Sequence, residues 1–341
     1  MNAMKKFAMV SAALAMSGPA LAQVDGPTVN WRFATMGSPR AATTHIEEIK
    51  KYVEQQTDGR FTITIGYGTF GDSREFLDLL SIGTIHGATV QASVSVEKLP
   101  LYTVLDLPFL PVSGPAEQRA VHDAVHQHPA IREEFAAWNA FPFMSSLLPT
   151  YELMGKGETP DELADIDGMR IRALGGNGNA LEKLGAASSN MPPQELYVAL
   201  ERGLLDGAAL PYYAFVSYNV HELGDWMTTN MGLAGTALPL AINLQAWSEL
   251  PPQYRELLEK AREVAYAAQE KAMEVDGAKA FETIQATDIE LMEFDEADLA
   301  ELREIGAQPV WDEWVKAQAD RGLPGQEVLD FVLETAEASS H

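Results

Sequence analysis

Residues 168–185 read GMRIRALGGNGNALEKLG. Arg170 and Arg172 sit among Ile171, Ala173 and Leu174 on an apolar strand, Gly175 and Gly176 mark a turn, and the residues after them have helical spacing. Strand, turn and helix in that order is the unit of an α/β chain. Two guanidinium groups at the mouth of such a unit suit either a phosphate cradle or a clamp for a small carboxylate. The cradle fails on spacing, because Gly176-Asn177-Gly178 is followed by Asn179-Ala180-Leu181 and the third glycine of G-x-G-x-x-G is missing. No Walker-type G-x-x-x-x-G-K-[ST] is present either.

Outward from this unit, an internal echo appears. Leu79 to Ala88 (LLSIGTIHGA) runs parallel to Ala199 to Ala208 (ALERGLLDGA): helix end, glycine, apolar pair, glycine, alanine, 120 residues apart. In each copy the first glycine suits a helix C-cap and the residues after it suit a buried strand. Upstream of the first copy stands an alternating strand over 61–66, and upstream of the second stands the strand over 168–174. Trp31 to Thr35 reads as another strand, Thr43 to Gln56 as a helix, and Asp72 or Ser73 as the N-cap of a helix reaching Leu80. Two lobes of similar plan, each presenting loops at its strand ends, imply a cleft between them.

From Leu250-Pro251-Pro252 a helical pattern runs to about Thr283, with Leu257, Leu258, Ala261, Val264, Ala265 and Ala268 on one stripe. At 1.5 Å per residue it reaches about 45 Å, long enough to cross both lobes. The segment 286–338 is acidic and helical with a break at Gly322-Leu323-Pro324-Gly325, and the tail 338–341 is expected to be disordered.

The chain has 341 residues, no cysteine, 24 basic and 49 acidic residues, and a formal net charge of −25. Such a surface repels nucleic acid. Lys5 and Lys6, the apolar run Phe7 to Met16 and Ala20-Leu21-Ala22 form the three parts of a secretory signal peptide, cut after Ala22. The run is far shorter than the roughly 20 residues that span a bilayer. The mature chain is therefore expected to be soluble in the periplasm without disulfides. An anionic ligand would meet an adverse field, so its cleft must hold its own positive charge.

Catalytic constellations are thin. There is no thiol and no G-x-S-x-G elbow. His122, His126 and His128 include an i, i+4 pair with zinc spacing, but no glutamate lies between them as in H-E-x-x-H, and a solvated helix end is the expected setting. No metal or cofactor is expected. Arg172, next to the carboxyl end of its strand, is the residue placed to grip a carboxylate bidentately and stay charged.

DIDGMRIRALGGNGNALEKLGAASSNMPPQELYVALERGLLDG (165–207) resembles the signature segment of solute-binding proteins of tripartite ATP-independent periplasmic (TRAP) transporters, the dicarboxylate-binding DctP-like type. GDSREFLDLLSIGTIHGA (71–88), LDLPFLP (105–111) and NLQAWSELPPQYRELL (243–258) are similar to further family motifs, so the resemblance covers essentially the whole mature chain. It implies a two-lobed α/β periplasmic binding protein, type II-like, with a ligand cleft between lobes and a long helix spanning both. It also implies a ligand-binding rather than enzymatic role, with membrane permease subunits as partners and a monomer as the docking form. The corresponding divisions are lobe I over 23–149, lobe II over 150–238, a return to lobe I over 239–285 and C-terminal helices over 286–341 packing on lobe II.

By the same resemblance Arg172 salt-bridges the ligand carboxylate, Tyr213 falls near an aromatic ligand contact, and Arg170 is solvent-facing or structural. The chain departs from the family where Ala208-Ala209-Leu210-Pro211 replaces Q-E-N-P, so Leu210 takes the place of a ligand-contacting asparagine, and where Glu152 stands instead of a second arginine. The expected ligand is thus a small organic acid, favoured as a monocarboxylate with an apolar or aromatic body. The expected contacts are Arg172, Tyr213, Leu210, Tyr212, Gln91, Ser93, Met36, Arg40 and Tyr151, with Glu75 structural or water-linked. A four-carbon dicarboxylate, keto acid or sulfonate is the alternative, Arg40 or Lys156 then supplying a second charge. A hydrolase on a bilobal scaffold finds no nucleophile–base pair to support it.

Overall fold

Two mixed sheets divide the chain. A computed structural model describes residues 23–112 and 114–339. The expected signal peptide lies outside the described residues, as do the last two residues of the expected tail. In the first lobe, β1 (Val29–Thr35), β2 (Phe61–Tyr67), β3 (Gly87–Thr89), β4 (Ala140–Ser146) and β10 (Leu238–Asn243) form a sheet of order β2-β1-β3-β10-β4. In the second, β5 (Glu152–Gly155), β6 (Arg170–Arg172), β7 (Ala187–Ser189), β8 (Gly207–Leu210), β9 (Trp226–Thr228) and β11 (Glu290–Met292) pair in the order β11-β9-β5-β8-β6-β7. β1 is parallel to β2 and β3, and β6 is parallel to β7 and β8.

The helices cover these sheets as their apolar stripes dictate. α1 (Thr44–Gln56) turns Ile46, Ile49 and Val53 onto one face of the first sheet, meeting Trp31, Phe33 and Phe61. Trp31 and Phe61 pack edge to face at 5.0 Å between ring centroids, and a buried aromatic of this size is worth about 2–3 kcal/mol. The other face carries α2 (Phe76–Ser81), α3 (Gly114–Val125) and α4 (Pro129–Ala136). The second lobe has α5 (Gly175–Lys183), α6 (Leu196–Glu201) and α7 (Tyr212–Ser217) around a core of Leu153, Ile171, Leu196, Phe215 and Trp226.

The echo is structural. In both copies the helix ends in a Schellman turn: Gly83 N–H donates to Leu80 O and Thr84 N–H to Leu79 O, just as Gly203 N–H donates to Leu200 O and Leu204 N–H to Ala199 O. Gly83 has φ +70° and Gly203 φ +66°, the left-handed region that favours glycine. Each turn then feeds the next strand, β3 or β8, into the middle of its sheet.

After α8 (Leu244–Glu249), α9 (Pro252–Gln285) is 34 residues long, about 51 Å. Pro252 opens it with a φ already suited to the first turn. Its first half buries Tyr254, Leu257, Leu258, Ala261 and Ala265 in the first lobe, and its second half buries Met273, Ala280 and Ile284 in the second. Val264 is exposed, and the stripe continues through Gln269 instead of Ala268. Gln269 Nε2 donates to His45 Nδ1 and Ser146 Oγ, both at 2.8 Å, while its Oε1 accepts from Leu147 N–H at 3.1 Å.

The C-terminal helices correct an expectation. α10 (Glu296–Gly306) lies against α5, but α11 (Gln308–Asp320) and α12 (Gly325–Ser339) pack on the first lobe. Val310, Trp314, Val328 and Val332 share a core with Leu80, Val104 and Phe135, and Trp314 Nε1 donates to Thr103 Oγ1 at 2.8 Å. The apolar stripe of α12 packs on α3, and α11 lies against α12 and α10. Ala338 and Ser339, expected in a disordered tail, are the last turn of α12, where Ser339 Oγ donates to Thr335 O.

Candidate functional site

The carboxyl ends of the parallel strands of both lobes converge on one cavity. Met36 follows β1, Gln91 follows β3, Arg172 ends β6, and Leu210 ends β8, and all four line it. Ligand sites of open α/β sheets form at this end because the loops there are free to vary while the strands hold their bases.

Arg172 is the centre of the cavity's chemistry. Its side chain is only 1% exposed. Nε donates to Met191 O at 3.0 Å and Nη1 to Ala209 O at 3.3 Å, while Nη2 has no partner. Among the described residues no carboxylate pairs with it. Burial brings its pKa down to about 10, with Tyr151 and Tyr218 acting the other way, so it remains a cation at neutral pH. An unpaired buried cation costs several kcal/mol unless an anion meets it. Two backbone carbonyls fix the guanidinium plane and leave one nitrogen for that anion.

The walls are mostly apolar. Leu210, Tyr213, Pro193 and Ala214 come from the second lobe, Met36 and Ala42 from the first, and Leu148 and Leu238 from the segments that cross between them. Tyr151 O–H and Thr236 Oγ1 are hydrogen-bonded at 2.9 Å. Gln91 is buried and its Oε1 has no partner. Arg40 stands at the edge, donating from Nη1 to Met36 O and Ser38 O at 2.7 and 2.8 Å with its guanidinium 5.4 Å from the Tyr218 ring centroid. The lobes are drawn together, with Arg74 of the first 3.1 Å from Glu195 of the second. The space between the walls is about 30 Å³, little more than water-sized.

The profile of bacterial extracellular solute-binding proteins, family 7 (DctP), matches residues 34–318. The chain belongs to this family. It is a solute-binding protein of transport and not an enzyme. It is 28% identical over 248 residues to a monocarboxylate 2-oxoacid-binding periplasmic protein of Nostoc sp., a match covering 69% of this chain and 65% of that one. Its fold is similar to a TRAP solute-binding protein from Rhodoferax ferrireducens in complex with copurified benzoate, with TM-score 0.81, 20% identity, and 92% and 99% of the two chains covered. A TRAP solute-binding protein from Desulfovibrio salexigens with bound orotic acid gives TM-score 0.81 at 19% identity, covering 91% and 99%. Other solved structures of this fold hold sugar acids.

In this solute-binding protein the structure brings together Arg172, Tyr213, Leu210, Gln91, Met36, Arg40 and Tyr151 around the cavity. It does not bring Tyr212, Ser93 or Glu75 to the lining. Tyr212, one position from Tyr213 and so turned away by 100° on α7, packs on Phe281 of α9 at 4.8 Å between ring centroids. Ser93 is buried behind the cleft, where a Cβ on Gly175 would come within 3.4 Å of it and 3.0 Å of Asp106. Glu75 is exposed at the start of α2. Lys156 donates from Nζ to Leu200 O and does not line the cavity. Tyr218, Leu148 and Leu238 line the cavity in addition to the expected contacts; an aromatic five residues beyond Tyr213, just past the end of α7, is the sign of Tyr218 in the sequence.

Arg170 and Arg172 share a strand side by period, yet Arg170 is exposed and pairs with Asp206, its Nε donating to Oδ2 at 2.9 Å. Position along the strand, more than side, separates the surface ion pair from the clamp. Glu152 is a structural acceptor, taking Thr228 O–H at 2.6 Å and the N–H groups of Met231 and Gly232 at 3.0 and 3.1 Å. The histidines also correct an expectation: His122, His126 and His128 are buried, not solvated. His126 Nε2 lies 2.8 Å from Tyr102 Oη, and burial pushes His122 down to about 4. Among the described residues no group of three His, Asp or Glu side chains is placed to hold a metal ion.

Proposed function

We propose that this protein captures a monocarboxylate with an apolar or aromatic body between its lobes and delivers it to the membrane permease subunits of a TRAP transporter. The observation that carries this reading is the buried, unpaired guanidinium of Arg172 facing a wall of Leu210, Tyr213 and Leu148. The carboxylate docks on Arg172 and the apolar body displaces water from the leucine and tyrosine faces. The benzoate and orotate held by proteins of the same fold are ring monocarboxylates and support this reading, while the 2-oxoacid monocarboxylates named for the Nostoc relative are keto acids and support the alternative. Export through a signal peptide cut after Ala22, a periplasmic location, a monomeric state and binding without a metal or cofactor complete the proposal.

A four-carbon dicarboxylate, keto acid or sulfonate is the second reading, favoured by Arg40 at the cavity edge, and the sugar acids held by other proteins of this fold extend it. Thermal melts of the mature chain with benzoate, pyruvate, succinate and glucuronate, repeated for Arg172→Ala, separate the two. A ligand at about 100 times its Kd adds roughly 2.7 kcal/mol and raises Tm by several degrees. The proposal expects benzoate to stabilise the native protein and not Arg172→Ala. Stabilisation by pyruvate, succinate or glucuronate but not benzoate, or an unaltered response of the variant, would overturn it.

A further inference from the structure

A second cavity, of about 340 Å³ by the same measure as the cleft's 30 Å³, lies at the hinge. Two segments that cross between the lobes form part of its wall: Leu148 to Thr150 between β4 and β5, and Gly232 to Gly235 between β9 and β10. Leu148 lines both cavities and separates them. The remaining wall is apolar, built from the 105–112 loop and from Val121 of α3. Among the described residues no lysine, arginine, aspartate or glutamate lines it, in a chain of net charge −25.

Three polar side chains, Gln118, His122 and Thr150, interrupt this wall, and of these only His122 is both buried and unpartnered. His122 projects from α3, is 4% exposed, and its Nδ1 has no hydrogen-bond partner. Gln118, its neighbour one turn away, already spends its amide on Leu148 O at 3.1 Å. Burial holds His122 neutral at physiological pH, so each ring nitrogen takes a single hydrogen bond, one as donor and the other as acceptor according to tautomer. A hydroxyl satisfies either. A cavity of about 150 Å³ accommodates a benzene ring, so the hinge cavity has room for two fused rings.

We infer that the hinge cavity is a second ligand site, taking an uncharged, largely apolar molecule of one or two rings with one hydroxyl group that meets His122. It is independent of the clamp at Arg172 and stands whatever acid the cleft takes.

The test titrates the full mature chain with 1-naphthol, followed by calorimetry, with naphthalene and 1-naphthoate as controls. Saturable binding of 1-naphthol is expected, equal in the native protein and in Arg172→Ala. Leu110→Trp, which fills the cavity from its half-buried side, should weaken it at least tenfold. His122→Phe should bring 1-naphthol down to the affinity of naphthalene. Should that variant not fold, Leu110→Trp and methyl NMR shifts confined to Leu110, Val121 and Leu148 carry the test. Absence of binding, indifference to Leu110→Trp, loss in Arg172→Ala, or tighter Arg172-independent binding of 1-naphthoate would each overturn the inference.

Discussion

Asp106 shows how much a single buried residue can weigh. It is 2% exposed, its Oδ1 accepts from Ala237 N–H at 2.6 Å, and the Ser93 hydroxyl is its neighbour. Burial is the dominant influence and pushes its pKa up to about 7. The folded protein therefore holds this proton to higher pH than the unfolded chain does. Stability contributed by the group is full below about pH 4 and is lost as pH rises towards 7, at most about 1.4 kcal/mol per unit. Asp106→Asn keeps a carbonyl acceptor and removes the titration. Urea melts at pH 5 and pH 8 should show the variant gaining on the native protein by a few kcal/mol between them. His45, His122 and His126, whose depressed pKa values act in the opposite sense, are common to both proteins and cancel. An equal gap at both pH values would show that Asp106 folds ionised. Nothing in LDLPFLP announces a buried acid, because the burial comes from α5 and residue 237, both distant in sequence.

At the scale of elements, the repeated Schellman turns are the clearest case of local control. A Cβ at Gly83 or Gly203 meets nothing within 4 Å, so the cost of alanine there is conformational alone. Gly83→Ala and Gly203→Ala should each lower stability by about 1 kcal/mol, or roughly 2–4 °C in Tm, measurable by calorimetry. Gly176 is different: a Cβ there would lie 2.4 Å from Pro108 Cδ and 2.5 Å from Asp106 O, so the start of α5 touches the first lobe only because the residue is glycine. Gly176→Ala should leave secondary structure intact by circular dichroism and weaken ligand affinity at least tenfold by calorimetry, since it holds the lobes apart. Unchanged affinity would show that this contact is not part of closure. The helix-capping glycines were readable because their pattern is contiguous; the reason for Gly176 was not, because its neighbour belongs to the other lobe.

For the whole molecule, charge and shape set the terms of capture. A net charge of −25 repels an incoming anion over about a Debye length, roughly 10 Å at 0.1 M salt. Stopped-flow association of the acid ligand should therefore speed up between about 10 mM and about 500 mM NaCl, while dissociation, governed by the buried clamp, changes little. Association that slows with salt would mean that Arg40 and Arg172 project a local positive field beyond the cleft. A cavity of about 30 Å³ cannot admit a ring with the lobes as they stand. Entry requires the lobes to part, and the exposed Arg74–Glu195 pair across the mouth opposes this by less than about 1 kcal/mol.

The α/β class, the two-lobed plan and the long bracing helix were all determined by sequence, because each is written in contiguous residues whose period, caps and turn glycines act locally. The lining of the cleft was legible mainly where a residue ends a strand, as Arg172 and Leu210 do, or stands within two residues of a strand end, as Met36 and Gln91 do. Tertiary structure alone decided that Tyr213 faces the cleft while Tyr212 faces α9, that α11 and α12 cover the first lobe, that Asp106 and the histidines are buried, and that a hinge cavity exists. Each of these depends on which surfaces meet across 100 residues or more of chain, and packing of that kind leaves no periodic trace in the segments it joins.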